Sequence, residues 1–201
     1  MSITEVFVIV STAGWPIIPI AWIPMHAVPL VRKKMGLFYY IIPLVIWPPV
    51  AVFMYLNLPL ILTYQIKMPV LAASIGWFLI VVGLLLFIYT ALFIKPLVLI
   101  GIPEVYRNIK TRLVTTGPFS VTRNPVYFLH LIILTGIFLT TGVIATLIIA
   151  VLDLLTAYFL IIPFEERELF ERFGIEYVEY QNRIPRFWPR MTLFNQISFN
   201  R

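Results

Sequence analysis

Residues 37–66 contain no Asp, Glu, Lys or Arg, and neither do residues 68–94. Residues 6–31 carry only His26, and residues 124–164 carry only His130 and Asp153 among ionisable acids, bases and histidines. A helix needs about 20 apolar residues to cross the hydrocarbon of a bilayer. Backbone polar groups inside lipid have no water to bond, which leaves helices or closed barrels as spanning structures. Apolar runs this long, without strand alternation, predict an all-α polytopic membrane protein. The composition agrees: 61% of the 201 residues are hydrophobic and 12% are charged, against about 25% charged in soluble domains.

Five membrane helices are expected, over residues 6–30, 38–62, 69–95, 126–141 and 143–162. Gly142, after Thr140 and Thr141, marks the turn of a tight hairpin between the last two. The fourth helix, at 16 residues, spans ~24 Å at 1.5 Å per residue, so it crosses barely or forms a re-entrant pair with the fifth. Prolines 16, 19, 24, 43, 48 and 49 should kink the first two helices. Ala72, Gly76 and Gly83 lie near one face of the third, a small-residue seam for close helix contact. Two regions divide the chain, helices 1–3 over 1–103 and a C-terminal core over 104–201.

Basic residues fix the orientation. Arg32, Lys33 and Lys34 follow helix 1; Lys95, Arg107, Lys110, Arg112 and Arg123 follow helix 3; Arg167, Arg172, Arg183, Arg186, Arg190 and Arg201 follow helix 5. Only Lys67 falls on the other side. The N-terminus is therefore expected outside and the C-terminus in the cytosol. No basic segment precedes the first apolar run, so no cleaved leader is expected. The net charge of +6 suits anionic lipid; the basic residues flank spans rather than forming a patch, so nucleic acid is not an expected partner. Zero cysteines and two histidines exclude disulfides and thiolate chemistry and leave no metal site to expect. No G-x-G pair, Walker loop, H-E-x-x-H or G-x-S-x-G is present.

Chemistry concentrates in two segments expected at the same membrane face. In Arg123-Asn124-Pro125-Val126-Tyr127, Asn124 should cap helix 4 with Pro125 at its first position. The free amides of that helix start, Val126 and Tyr127 among them, suit a carboxylate or phosphate, or simply end a well-capped helix. Glu165 to Phe173 reads as a short helix stopped by Gly174. Glu168 and Arg172 form an i,i+4 pair on its solvated face. Glu165 instead shares an apolar stripe with Ile162, Leu169 and Phe173, where a carboxylate needs a partner: a ligand amine, a sugar hydroxyl, or an ion pair with Arg123 or Arg186. Asp153, inside helix 5, should be protonated or bonded to another helix. His26 and His130 read as packing or hydrogen-bonding residues, with His130, one turn after Tyr127, within reach of the site.

Taken together, Leu113-Val114-Thr115-Thr116-Gly117-Pro118-Phe119, Arg123-Asn124-Pro125-Val126-Tyr127, Glu165-Glu166 with Leu169 and Phe173-Gly174, and Glu176-Tyr177, Tyr180 and Arg183-Ile184-Pro185-Arg186 resemble the isoprenylcysteine carboxyl methyltransferase family. More broadly they resemble the membrane methyltransferases that include phospholipid N-methyltransferases. The resemblance covers roughly residues 104–189. It implies methyl transfer from S-adenosylmethionine, leaving S-adenosylhomocysteine, to a lipophilic acceptor arriving from the bilayer. The acceptor class it implies first is a prenylcysteine-like carboxylate, with a lipid amine as the alternative. Carried over by position, the cofactor residues are Glu104, Arg112, Leu113, Val114, Gly117, Phe119, Asn124, Pro125, Val126, Tyr127 and Glu165, and the catalytic residues Glu165 and Arg186. Two positions depart from the family. Asn124 stands where relatives carry His, and Ile161 stands where eukaryotic members carry an Arg. Two other classes remain open: an NADPH-dependent sterol-type reductase, and a non-enzymatic membrane module or small transporter. Oligomeric state is not legible.

Overall fold

The computed structural model describes residues 1–28, 34–94 and 112–189. Among them the chain is all helical, with one isolated bridge between Gln65 and Val143. The helices are α1 (Ile3–Gly14), α2 (Ile17–Ala27), α3 (Ile41–Leu56), α4 (Leu58–Thr63), α5 (Val70–Ile94), α6 (Pro125–Thr141), α7 (Ile144–Thr156), α8 (Ile162–Phe173) and α9 (Ile175–Arg183). A 3-10 turn, Gly36–Tyr40, leads into α3, another covers Gly117–Ser120, and a π turn, Ala157–Ile161, joins α7 to α8.

Four helical stretches are long and apolar enough to cross a membrane: Ile3–Ala27, Gly36–Leu56, Val70–Ile94 and Ile144–Phe173. The shorter apolar helix Pro125–Thr141 is the fifth expected element. Their outer surfaces stay apolar and uncovered, as lipid requires: Leu71 is 72% exposed and Leu92 71%. The first expected helix is two. Pro16 and Pro19 have no N–H for the carbonyls four residues back, so the helix bends between α1 and α2. The second expected helix breaks at Asn57, whose side-chain amide bonds the Phe53 carbonyl at 2.8 Å ahead of Pro59. The fifth does not end at 162. It runs through the π turn to Phe173, 30 residues in all, or about 45 Å. That exceeds the ~30 Å hydrocarbon, so its last turns stand in water.

The α5–α6 seam is the tightest contact. A Cβ added to Gly76 would lie 2.5 Å from Thr140 Oγ1 and 2.7 Å from the Gly136 carbonyl. One added to Gly136 would meet the Gly76 carbonyl at 2.8 Å. Gly83, also on the expected small-residue face, sits against Ile133. Tyr39 hydroxyl and Trp47 Nε1 donate to the carbonyls of Ala21 and Ala13, tying α3 and its lead-in turn to α2 and α1.

The bundle has two unlike ends. At one, Gly142 turns with φ +68°, as the hairpin demands, and its carbonyl accepts from the Ile66 amide at 2.8 Å. Met1 and Glu5 share a cleft at this end with Tyr55, Leu58 and Pro59. Glu5 and Lys67 are its charged side chains among the described residues. The opposite end receives α2, the start of α6, α8 and α9, and with them nearly every other described charge.

Candidate functional site

Beneath the charged end lies a core of Tyr127, Ala157, Ile161, Ile162 and Phe187, each no more than 8% exposed, with Trp22, Ile23, Phe128 and Tyr158 packed around it. This core holds α2, α6, α8 and the segment after α9 in register. Two acidic clusters sit on it, one on each flank of α8.

The first is built on Glu165. Its Oε1 accepts from Trp22 Nε1 at 2.9 Å and from the Tyr127 hydroxyl. His26 Nε2 lies 3.5 Å from the same oxygen, and His26 Nδ1 lies 3.1 Å from Glu168 Oε2. An imidazolium donates from both nitrogens while a carboxylate only accepts, so His26, when protonated, can bridge the two acids. The Glu165 side chain remains 23% exposed, against 8% for Glu168. Glu165 is thus held by neutral donors and one histidine, at a boundary that opens on one side.

The second cluster is an ion triad. Arg123 Nη2 reaches Glu166 Oε1 at 2.8 Å and Arg186 Nε reaches Glu166 Oε2 at 3.0 Å. Arg186 also lies over the Tyr158 ring, 5.5 Å from its centroid. Around the triad the loop before α6 and the segment after α9 are sewn together. The Arg123 amide donates to the Pro185 carbonyl at 3.0 Å, and Asn124 Nδ2 to the Arg186 carbonyl at 2.8 Å. Tyr180 hydroxyl donates to the Phe119 carbonyl at 2.7 Å. Burial pushes the Tyr177 and Tyr180 phenols well above their ordinary range; Glu166 adds to the rise and Arg123 opposes it. Both stay protonated donors at any ordinary pH.

Several expectations change here. The arginines offered as partners for Glu165 pair with Glu166 instead. Glu168 does not sit on a solvated face: it is 7% exposed and turned toward His26. Asn124 does stand at the N-cap position of α6 with Pro125 following, but its side chain makes no cap bond. The Arg186 carbonyl takes its amide instead. Among the described residues the first-turn amides of α6 therefore carry no side-chain cap. His26 is a hydrogen-bonding residue, one of the two roles expected for it, and it lies between Glu165 and Glu168. His130 stacks on Phe87 at 5.3 Å, with Nδ1 3.9 Å from Asp153 Oδ1. Asp153 bonds another helix as expected, accepting from Trp15 Nε1 at 3.0 Å.

The expected cofactor residues Asn124, Pro125 and Tyr127 are buried and Val126 is half-buried; of these, Tyr127 bonds Glu165 and Asn124 bonds the Arg186 carbonyl. Phe119, Leu113 and Val114 are half-buried in the approach to α6, whereas Gly117 and Arg112 are exposed. Gly117 turns with φ +59° directly against the Phe93 ring. Glu104 lies outside the described residues. Neither Trp22 nor the partners of His26 were legible in the sequence, because nothing near these residues identifies the far helix they meet. Replacing His26 by Leu leaves Glu165 and Glu168 without their shared donor. The expected cost is about 3 kcal/mol, read as a fall of ~10 °C in thermal unfolding in detergent; an unchanged transition would show that the bridge carries no stability.

The sequence pattern of the phospholipid methyltransferase family matches residues 71–176, just over half of the chain. The chain is 35% identical over 88 residues to the nickel-cobalt-cadmium resistance protein NccN of Alcaligenes xylosoxydans xylosoxydans, covering 44% of this chain and 41% of NccN. It is 35% identical over 82 residues to the cobalt-zinc-cadmium resistance protein CzcN of Cupriavidus metallidurans, covering 41% of this chain and 38% of CzcN. The chain thus spans about two fifths of the length of the curated relatives it matches. No solved structure matches it. The matched family residues take in α5, α6, α7 and α8, and so Asn124, Tyr127, Glu165 and Glu166, but not Trp22 or His26.

Proposed function

The chain belongs to the phospholipid methyltransferase family and is an integral membrane methyltransferase; from that premise we propose that it moves a methyl group from S-adenosylmethionine to a lipid amine at the cytosolic face. The observation that carries this reading is Glu165, a carboxylate held by Trp22 and Tyr127 beside a helix start that no side chain caps. The donor has a carboxylate and an ammonium on one carbon, with a ribose diol nearby. The first-turn amides of α6, at Val126 and Tyr127, suit the carboxylate. Glu165 suits the ammonium or the diol. Phe119 and Tyr127 offer aromatic surface to the adenine and to the sulfonium. The bound donor supplies an activated methyl, so the protein has to align, desolvate and hold rather than activate. The ion triad is a positioning device in this scheme. Through Asn124 and Arg123 it fixes the α6 start against the Pro185–Arg186 carbonyls.

The acceptor follows from charge. A prenylcysteine-like carboxylate needs a cation to receive it. Ile161, where eukaryotic relatives have an Arg, is 1% exposed and part of the core. Arg186 is already engaged with Glu166. α8 carries four carboxylates, Glu165, Glu166, Glu168 and Glu171, against two arginines, Arg167 and Arg172, and an amine acceptor suits that acidic helix better than a further carboxylate would. Placing the charged end in the cytosol follows the positive-inside bias, and it puts the donor site where the soluble donor is available.

The test is a transfer assay with labelled donor in proteoliposomes holding, separately, ethanolamine-headgroup lipid, anionic lipid without an amine, and a prenylcysteine. Label is expected in the ethanolamine lipid. Label in the prenylcysteine alone would reverse the choice of acceptor, and no label in any of them would remove the enzymatic reading for these acceptors.

A further inference from the structure

A third polar cluster lies inside the membrane helices, apart from the donor site. Asp153, on α7, is 2% exposed. Its Oδ1 accepts from the Trp15 indole N–H at 3.0 Å, while its Oδ2 is buried with no hydrogen-bond partner among the described residues. A buried carboxyl oxygen left unmet is costly in lipid surroundings, which marks Asp153 as a group for a proton or a polar neighbour to engage. Facing it is His130, with Nδ1 3.9 Å from Asp153 Oδ1. The imidazole is stacked on Phe87 from α5 and is 24% exposed, whereas the Asp153 side chain is 3% exposed. Nδ1 is the nitrogen nearer the acid, which leaves Nε2 as the ring nitrogen to meet a ligand.

Position along α6 gives this dyad its meaning. His130 follows Tyr127 by three residues, so it lies on nearly the same face, about 4.5 Å farther into the bilayer. Tyr127 touches Glu165 in the donor site. A lipid headgroup reaching Nε2 from the bilayer side would stand one helical turn from the donor residues.

We propose that His130 is the general base of the acceptor site and that Asp153 is its positioning partner, the ligand being a protonated lipid amine. The inference rests on the methyltransferase reading above. An ammonium has no lone pair to attack with. Its proton passes to His130 Nε2, and the nitrogen lone pair then forms the new N–C bond. The C–S bond breaks, its electrons stay on sulfur, and the thioether product remains. The imidazolium formed is stabilised by the Asp153 carboxylate. The 3.9 Å gap suits a pair that tightens when the acceptor binds.

The experiment uses the full chain in ethanolamine-lipid vesicles with labelled donor, comparing wild type, His130→Ala and Asp153→Asn. His130→Ala is expected to slow transfer about 100-fold or more, and added imidazole is expected to restore part of the loss. Asp153→Asn is expected to slow transfer about 10-fold without imidazole rescue. S-adenosylhomocysteine affinity, read by calorimetry, is expected to stay within about twofold in both. His130→Gln makes the same comparison should the Ala variant fail to fold. Wild-type transfer by either His130 variant would overturn the inference, and so would a loss that imidazole leaves untouched while product binding is intact. A wild type that binds S-adenosylhomocysteine yet methylates no amine lipid would overturn this inference alone; one that binds none would overturn the donor site as well.

Discussion

Calorimetry of Glu165→Ala with S-adenosylhomocysteine is expected to show at least a 100-fold loss of affinity relative to the wild-type chain. The magnitude follows from one charge-assisted interaction, worth about 1.5–3 kcal/mol, together with the disorder left behind when Trp22 Nε1 and the Tyr127 hydroxyl lose their common acceptor. Glu165→Gln separates the two contributions. It can still accept from both donors, so it tests the charge alone, and a loss of about 10-fold is expected. Glu166→Gln acts at a distance from the ligand, by loosening Arg123 and Arg186. Unchanged affinity in Glu165→Ala would take this residue out of the donor site, whatever the family.

A large effect on stability is also expected at Gly76. In Gly76→Val the new side chain would have to occupy space already held by Thr140 Oγ1 at 2.5 Å and by the backbone of Gly136 and Thr140 at 2.7 Å. A backbone atom cannot rotate away, so α5 and α6 must separate along their seam. The expected destabilisation is about 3 kcal/mol, seen as a fall of ~10 °C in thermal unfolding in detergent. Gly14→Ala is the matching control, since a Cβ there meets nothing within 4 Å; its transition should not fall. Equal behaviour of the two variants would mean that the seam does not hold the bundle together.

The membrane helices were legible because hydropathy is a property of the chain itself. Gly142 was legible too, since a hairpin of two apolar helices needs a residue that accepts positive φ. Glu165 was found by periodicity for a sound reason: α8 does turn that side toward the bundle. Periodicity failed at Glu168 and said nothing of Glu166, because α8 is gripped on two sides, by α2 at His26 and by the Arg123–Arg186 pair. A single apolar stripe cannot describe a helix with two buried flanks. At Asn124 the local rule named the right position and the wrong bond, because a carbonyl 62 residues away competes for its side chain. His26 and Trp22 meet α8 across 142 and 143 residues of sequence, a separation at which no local pattern carries information.

The π turn at Ala157–Ile161 has a consequence for how this site can change. Each residue of an α-helix turns the next by about 100°, and a π turn accommodates one extra residue within a helix. It acts as a phase adjuster between the lipid-embedded part of the last span and the part standing in water. Deleting one residue there would leave Asp153 facing Trp15 and rotate Glu165, Glu166 and Glu168 together by about 100°. Both acidic clusters would lose their partners in one step. Length in this segment is therefore constrained more tightly than residue type, and a family alignment should show substitutions there without gaps.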